Sequence, residues 1–141
     1  MNIRTETFEI ETSDRIEFHN VMDDVERQLE QWEATNGLVH VRTGHSSAAL
    51  TMNEPEARLL QDMLYAYTDL IPPDDWYFHD QHHINTDSQR NAFGHILSSM
   101  IRRPVVLILE DGELRTGTYE EILFLEFDGP RPRTFEVSLL D

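Results

Sequence analysis

The seven histidines of this chain are the side chains with the widest range of possible chemistry. Neutral imidazole binds zinc and similar metals, and it is the usual proton donor or acceptor near neutral pH. His45 follows an apolar stretch and begins a hydroxyl-rich run, and His95 lies in a short apolar segment. The polar segment between them carries His79, His82 and His83. Together these positions raise the hypothesis of a histidine-based site.

The charge of the chain narrows its possible partners. It has 27 acidic residues and 11 basic ones, all of them arginine, for a formal net charge of −16. Nucleic acids and anionic membranes are bound through Lys and Arg, so we expect neither as a partner. High salt screens the repulsion among many carboxylates, and we hypothesise that the protein is halophilic, from a salt-rich cytoplasm.

Composition also bounds the compartment and the number of domains. The chain lacks cysteine, which excludes disulfides, thiolate chemistry and all-cysteine zinc sites. The first residues do not resemble a signal peptide, and no stretch approaches the ~18 apolar residues of a membrane-spanning helix. We therefore expect a cytoplasmic protein. A length of 141 residues predicts one domain, covering residues 1–141.

Apolar periodicity predicts strands towards both ends of the chain and helices between them. The predicted strands are residues 2–11, 37–41, 48–52, 105–109, 114–118, 122–127 and 134–139. The predicted helices run over 18–32, 53–67 and 91–101. The uninterrupted apolar run 105–109 is typical of a strand that is buried on both faces. Because no steady β-α-β alternation appears, the order favours an α+β fold.

The candidate residues also have ordinary structural interpretations. Asn53 before a predicted helix is typical of a helix cap, although a helix N-terminus also suits an anionic ligand. A single histidine on a short helix, such as His95, is more often structural than a ligand. His19 and His40 are interpreted as structural, and His82 and His83 as neighbours in a loop. Residues alone therefore indicate an α+β domain with a possible histidine site and leave its function open.

Four blocks of the sequence resemble motifs of the YjbQ-like family. The run from His45 to Glu54 is similar to the block HTTAALTINE, and the run from Asn91 to Met100 is similar to NAxAHLxxxL. The run from Asp111 to Glu120 resembles DGxLxLGTWQ, and that from Glu126 to Arg133 resembles ExDGPRxR. The blocks stand in the family order and span nearly the whole chain.

This resemblance implies a β-sandwich-like core with two or three helices, assembled as a homotrimer with sites near subunit boundaries. It carries over His45, His79 and His95 as candidate metal ligands or acid–base residues, with His79 in a His-Asp pair. Members of the family have been linked to a thiamine-phosphate synthase activity, which joins a pyrimidine pyrophosphate to a thiazole phosphate. The implied ligand is therefore a small anionic metabolite.

A synthase of this kind expels pyrophosphate, and the negative charge on the departing oxygens calls for Mg²⁺ or guanidinium groups. Arg131 and Arg133 are the best-placed cations by motif, although surface solubility and salt bridges within a trimer also account for them. Glu54 and Asp80 are candidates to hold Mg²⁺, and Glu54 joins His45, His95 and the two arginines as a candidate catalytic residue.

Two other functions remain open from the sequence. Three histidines around Zn²⁺ with one open position would support hydrolysis of a phosphate or ester. A trimer that binds a small metabolite or a metal without catalysis is the third possibility. The chain departs from the family pattern where Tyr119 and Glu120 replace Trp-Gln. A second departure puts Arg102 and Arg103 where a glycine is usual, and it adds two positive charges.

Overall fold

The fold was determined as a computed structural model that describes residues 1–83 and 90–141. The strands are β1 (Ile3–Glu11), β2 (Glu17–Asn20), β3 (Gly37–Arg42), β4 (Ala48–Asn53), β5 (Val105–Glu110), β6 (Glu113–Leu114), β7 (Glu121–Glu126) and β8 (Pro132–Leu140). The helices are α1 (Met22–Gln31), α2 (Ala57–Leu70) and α3 (Ala92–Ile101), with a short 3-10 helix at His79–His83. The α+β prediction is confirmed.

The strands form two antiparallel sheets that pack face to face. The five-stranded sheet has the order β1-β8-β3-β5-β6, and the three-stranded sheet has the order β2-β7-β4. Apolar side chains from both sheets and from α1 fill the space between them, including Val39, Phe135, Leu50 and Phe124. The helices α2 and α3 cover the other face of the three-stranded sheet. The molecule therefore has three layers, with the three-stranded sheet in the middle.

Strand β7 belongs to both cores, since successive side chains of a strand point to opposite faces. Ile122 and Phe124 face the five-stranded sheet. Leu123, Leu125 and the following Phe127 face the helices. Strand β7 is therefore covered on both faces. The sequence had predicted this arrangement for residues 105–109 instead.

Strand β5 is covered on one face only. The prediction that it is buried on both faces is wrong. Val106 and Ile108 are each 47 % exposed, while their neighbours are buried. An apolar run shows that a strand can be covered on both faces, but it does not show that this chain supplies the second cover. In strand register, Ile108 lies beside Leu38, and Leu140 and Ile3 continue the row across the sheet. We call these four side chains the outer row.

Three predicted boundaries shift because pairing between strands overrides local periodicity. Residues 17–20 form β2 beside β7 rather than the first turn of a helix, so His19 lies in a strand. Strand β4 pairs with β7 as far as Asn53, and α2 therefore begins only after Glu56, whose carboxylate accepts the N–H of Leu59 at 2.7 Å. The predicted strand 114–118 is reduced to β6. Among the described helices, none has the length and apolar character needed to span a bilayer.

The turn between β7 and β8 is closely packed against the start of the chain. A Cβ atom on Gly129 would lie 2.1 Å from the carbonyl oxygen of Asp14 and 2.8 Å from the hydroxyl of Thr12. Backbone cannot yield as the end of a flexible side chain does, so only glycine fits here. The turn carries Asp128 and Arg131, and its position decides where these charged groups lie.

We expect Gly129→Ala to lower the free energy of unfolding by about 1–3 kcal/mol or more, as overpacking does in a close-packed interior. Gly44→Ala is the matched control, because a Cβ there would meet nothing within 4 Å. Urea denaturation of both variants measures the difference. Equal stability of the two variants would contradict the assigned contact.

Candidate functional site

Three segments meet at one end of the three-stranded sheet: the turn before β4, the helix α3, and the turn between β7 and β8. The backbone N–H of Phe127 donates to the carbonyl of Ser47 at 3.2 Å. The Ser98 hydroxyl of α3 donates to the carbonyl of Ala48 at 2.5 Å. Each contact joins residues far apart in sequence, and together they bring the first, second and fourth motif blocks to one place.

A buried ion pair between Arg133 and Glu126 fastens these segments. Arg133 is 3 % exposed and Glu126 is fully buried. The arginine Nε donates to one carboxylate oxygen at 2.7 Å, and an Nη donates to the other at 2.5 Å. The same guanidinium reaches the Ser47 hydroxyl at 2.9 Å, and Thr12 donates to the carboxylate at 3.1 Å. Arg133 is thus placed to hold the scaffold, whereas its candidate role was to contact a ligand.

A second carboxylate, Asp128, sets the orientation of His79 through Asn91. The Asn91 side-chain N–H₂ donates to Asp128 at 2.8 Å, and this contact fixes which end of the amide carries oxygen. That oxygen lies 3.0 Å from Nε2 of His79, so the imidazole must donate there. In the neutral ring the proton is therefore on Nε2, and Nδ1 is the basic nitrogen.

His95 is fixed in the complementary way. Its Nδ1 lies 3.2 Å from the carbonyl oxygen of Ser46, which only accepts, so the neutral ring carries its proton on Nδ1 and is basic at Nε2. The two rings of His79 and His95 meet edge to face, with centroids 5.0 Å apart. Two imidazoles with defined tautomers thus stand side by side.

This pair borders an open apolar hollow of about 550 Å³, which we call the histidine hollow. Its lining comprises Tyr77, Phe78, His79, Ala92, His95 and Ile96. Phe78 is 84 % exposed, and its ring meets that of Trp76 edge to face, with centroids 4.5 Å apart. On the other side of His95, Arg102 and three serines line a smaller hollow of about 230 Å³. The arrangement combines an apolar surface with two imidazoles and a nearby cation.

Arg131 forms an ion pair with Asp128. Its guanidinium lies 2.8 Å from the carboxylate oxygen that Asn91 also contacts, and its Nε donates to the Asp128 carbonyl at 2.7 Å. The Arg131 side chain is partly exposed, whereas Asp128 is fully buried. The other carboxylate oxygen, Oδ1, is buried and has no hydrogen-bond partner within the described part of the chain. Of the two motif arginines, only Arg131 reaches the surface.

His45 lies next to this centre, but its ring turns towards β8. The backbone N–H of Thr134 donates to Nε2 of His45 at 3.0 Å, which leaves the proton of the neutral ring on Nδ1. Burial, and then the charge of Arg133, lowers the pKa of His45, with Arg131 and Arg102 adding to the effect and Glu126 opposing it. The neutral ring is therefore the stable form around pH 7.

Other candidates lie apart from the pair or have structural contacts. Glu54 and His45 flank opposite ends of β4, a separation of roughly 20 Å for six strand residues. Asp80 is buried and accepts the N–H of Ala92 at 2.9 Å, so it caps α3.

The remaining histidines lie away from the pair. His19 pairs with Glu17, and His40 lies in β3. The side chains of His82 and His83 lie outside the described residues. Among described side chains, no three His, Asp or Glu converge to hold a metal ion.

Asn91 and Asp128 contact the histidine pair or its neighbour, and the sequence did not single them out as site residues. Both stand inside recognised blocks, Asn91 at the start of the second and Asp128 within the fourth. The available signal was a carboxylate directly after the apolar strand β7, where burial requires a partner. The identity of that partner depends on a contact across 37 positions of sequence.

Comparison with known proteins places these features in a family. Residues 6–141 match the family model described as UPF0047 protein YjbQ-like. A UPF0047 protein of Archaeoglobus fulgidus is 40 % identical over 131 residues, which cover 93 % of this chain and 97 % of that protein. A UPF0047 protein of Methanothermobacter thermautotrophicus is 33 % identical over 139 residues, covering 99 % of this chain and 93 % of that protein.

Solved structures show the same fold. A hypothetical protein from Aeropyrum pernix K1 aligns with a TM-score of 0.89 at 32 % identity, covering 97 % of this chain and 98 % of that one. A YjbQ/UPF0047 family protein from Clostridium acetobutylicum aligns with a TM-score of 0.85 at 26 % identity, covering 96 % and 99 %. The likeness extends over nearly the whole chain.

The lowered pKa of His45 predicts a loss of stability in acid. The unfolded chain binds a proton at an ordinary pKa of about 6.5, and the folded chain binds it only at lower pH, so protonation favours unfolding. We expect the free energy of unfolding to fall as the pH drops below about 6.5, by at most ~1.4 kcal/mol per pH unit from this residue. Urea denaturation between pH 8 and 5 measures the slope.

His45→Gln keeps an acceptor for the Thr134 N–H and removes the titration, so its slope should be shallower than that of the unmodified protein. Identical slopes for His45→Gln and the unmodified protein would show that His45 does not cause the acid sensitivity.

Proposed function

The chain belongs to the YjbQ-like UPF0047 family, and from that premise we propose that it is an enzyme acting on a small anionic metabolite. His79 and His95 are its proton-transferring residues. The observation that carries this proposal is the chain of contacts from buried Asp128 through Asn91 to His79, which fixes the tautomer of an imidazole at an open hollow. A histidine with only a packing role has no need of a second residue that is itself oriented by a buried carboxylate.

The two rings suit complementary steps of proton transfer. In the neutral rings the proton lies on Nε2 of His79 and on Nδ1 of His95, and each N–H donates to an oxygen. General acid–base catalysis requires positioned groups that can both give and take a proton, as an imidazole does. Asn91 and Asp128 are positioning residues in this scheme.

The reaction class we propose is that of a thiamine-phosphate synthase, in which a thiazole phosphate displaces pyrophosphate from a pyrimidine pyrophosphate. A carbon–nitrogen bond forms between the thiazole nitrogen, which attacks with its lone pair, and the pyrimidine methylene, while the bond from that carbon to the pyrophosphate oxygen breaks. The leaving group takes the electron pair and accepts a proton from one imidazole in its protonated form, and the neighbouring ring passes a proton from solvent to restore it. The apolar histidine hollow, bordered by Tyr77, Phe78 and Ile96, suits a flat heteroaromatic ring. A hollow of this composition also favours desolvation of the reacting centre.

Cations must stabilise the charge that develops on pyrophosphate. Arg131 is held by one edge on Asp128, which orients the guanidinium and leaves part of it exposed. Arg102 borders the smaller hollow on the far side of His95. We assign anion binding to these two arginines, whereas Arg133 is committed to Glu126.

Zn²⁺ or Mg²⁺ remains a prediction for this centre. The fixed tautomers of His79 and His95 resemble the arrangement in which metal-binding imidazoles donate their second N–H to an oxygen. A zinc site needs at least three protein ligands, and the described residues of one chain supply only this pair. No step of the proposed reaction is therefore assigned to a metal, and a zinc hydrolase would require a ligand from elsewhere.

We expect His79→Asn and His95→Asn each to lower the formation of thiamine phosphate by about 10²–10⁴-fold, the usual contribution of a general acid or base. The assay mixes the protein with the two precursors and separates the product by chromatography, with and without added Mg²⁺ or Zn²⁺. His19→Asn, which replaces a histidine paired with Glu17 in β2, is the control. Circular dichroism verifies that each variant folds.

Unchanged activity in both histidine variants would contradict their catalytic role. If the unmodified protein binds thiazole phosphate but forms no product under any metal condition, the chain is a binding protein and the synthase proposal fails. Loss of activity in His19→Asn to the same degree would indicate a general effect on stability.

We further propose that the chain assembles as a homotrimer through the outer face of the five-stranded sheet. The outer row places four aliphatic side chains side by side across β1, β8, β3 and β5. Three of them are at least a third exposed: Ile3, Leu38 and Ile108. Contiguous apolar surface of this kind is typical of an interface between proteins.

Leu38→Glu should dissociate this assembly, because it places a carboxylate at the centre of the apolar row. Light scattering coupled to size-exclusion chromatography measures the mass, and we expect a shift from three chains to one. Tyr65→Glu is the control: Tyr65 is 73 % exposed on α2, in the layer opposite to the outer row. A Leu38→Glu protein with unchanged mass would exclude this face as the interface.

A further inference from the structure

A second concentration of positive charge lies outside the histidine pair, where the end of β3 meets the link between α3 and β5. A hollow of about 150 Å³ is lined there by Arg42, Arg102 and Arg103, together with His40, Thr43 and Pro104. We call it the arginine hollow. Its volume is well above the ~10–15 Å³ that a cavity needs to hold one water molecule, so it can take a small ion.

The pairing of β3 with β5 brings these arginines together. Val41 is the register partner of Val105 in this antiparallel pair. Arg42 follows Val41, and Arg103 comes shortly before Val105, so both lie at the same end of the sheet. Arg102 joins them as the residue that ends α3. The cluster therefore results from the topology rather than from neighbours in sequence.

The charge of this hollow contrasts with that of the chain. Three of the 11 arginines line it, and none of the 27 acidic residues does. Arg42 lies 3.5 Å from Glu136 in an exposed pair, and Arg102 donates to the His45 carbonyl. Arg103 forms no ion pair or hydrogen bond with the described part of the chain. The negative end of the α3 dipole favours one cation near it, but it does not account for three that repel one another.

We propose that the arginine hollow binds a phosphate-type oxyanion. Guanidinium groups offer planar pairs of N–H donors that match the oxygens of phosphate, and the anion removes the repulsion among the three cations. Half-buried His40 adds a further ring nitrogen to the lining. Arg102 borders both this hollow and the smaller hollow beside His95, whereas Arg42 and Arg103 border this hollow alone. The test therefore uses Arg42 and Arg103, to which the proposed reaction assigns no role.

The test is calorimetric titration of the full chain with inorganic phosphate, glycerol 3-phosphate or acetate, at constant ionic strength. We expect both phosphates to bind and acetate to bind much more weakly. Arg42→Gln and Arg103→Gln should each weaken phosphate binding by about tenfold, the effect of losing one charge-assisted contact. The control Arg27→Gln removes an exposed arginine of α1 that pairs with Asp24, and it should bind phosphate normally.

Each other outcome overturns the proposal. If acetate binds as tightly as phosphate, the site is not specific for a phosphate-type anion. If Arg27→Gln loses as much phosphate affinity as Arg42→Gln and Arg103→Gln, the effect comes from net charge alone. If Arg42→Gln and Arg103→Gln dissociate the assembly, and phosphate does not bind, the arginines serve contacts between copies instead. His79→Asn should bind phosphate here normally, and Arg103→Gln should keep any synthase activity, so this site and the reaction centre succeed or fail separately.

Discussion

The buried ion pair between Arg133 and Glu126 is the interaction on which the site depends. Arg133 lies on β8 and Glu126 at the end of β7, so the pair joins the two sheets. Removing one partner of such a pair typically costs about 3–5 kcal/mol, since the other charge is left buried without compensation. The turn before β4 and the start of the chain attach to the same pair through Ser47 and Thr12. Four segments of the chain therefore take their positions from one contact.

The closing motif, Glu126 to Arg133, contains two ion pairs, and in sequence the second lies between the two residues of the first. Glu126 bonds Arg133 seven positions on, and Asp128 bonds Arg131 three positions on, across the same turn. Both pairs join a carboxylate to a guanidinium, but one is enclosed between the sheets and the other reaches the surface. Arg133 therefore holds the framework, whereas Asp128 contacts the Asn91 amide beside His79 and Arg131 is partly exposed.

The sequence predicted the class of fold and most elements, because the periodicity of a strand or helix is a local property. The prediction failed where pairing between strands sets the boundary of an element, as at β2 and at the start of α2. It also did not show which apolar strand is covered on both faces by this chain. For the site, the family resemblance gave His95 within a block and His79 in a His-Asp pair between blocks as candidates, and the structure brings the two rings together. They did not reveal that Asn91 and Asp128 fix the ring of His79, or that Arg133 is enclosed, since those facts depend on contacts between distant segments.

The position of β7 between two cores limits how its sequence can change length. Its even-numbered side chains face the other sheet and its odd-numbered ones face the helices. One residue inserted within it would exchange the two sets beyond that point, and would turn Glu126 away from Arg133 towards the helical layer. An insertion or deletion is therefore compatible with this fold only outside β7. The length of β7 fixes the positions of the motif residues on either side of it.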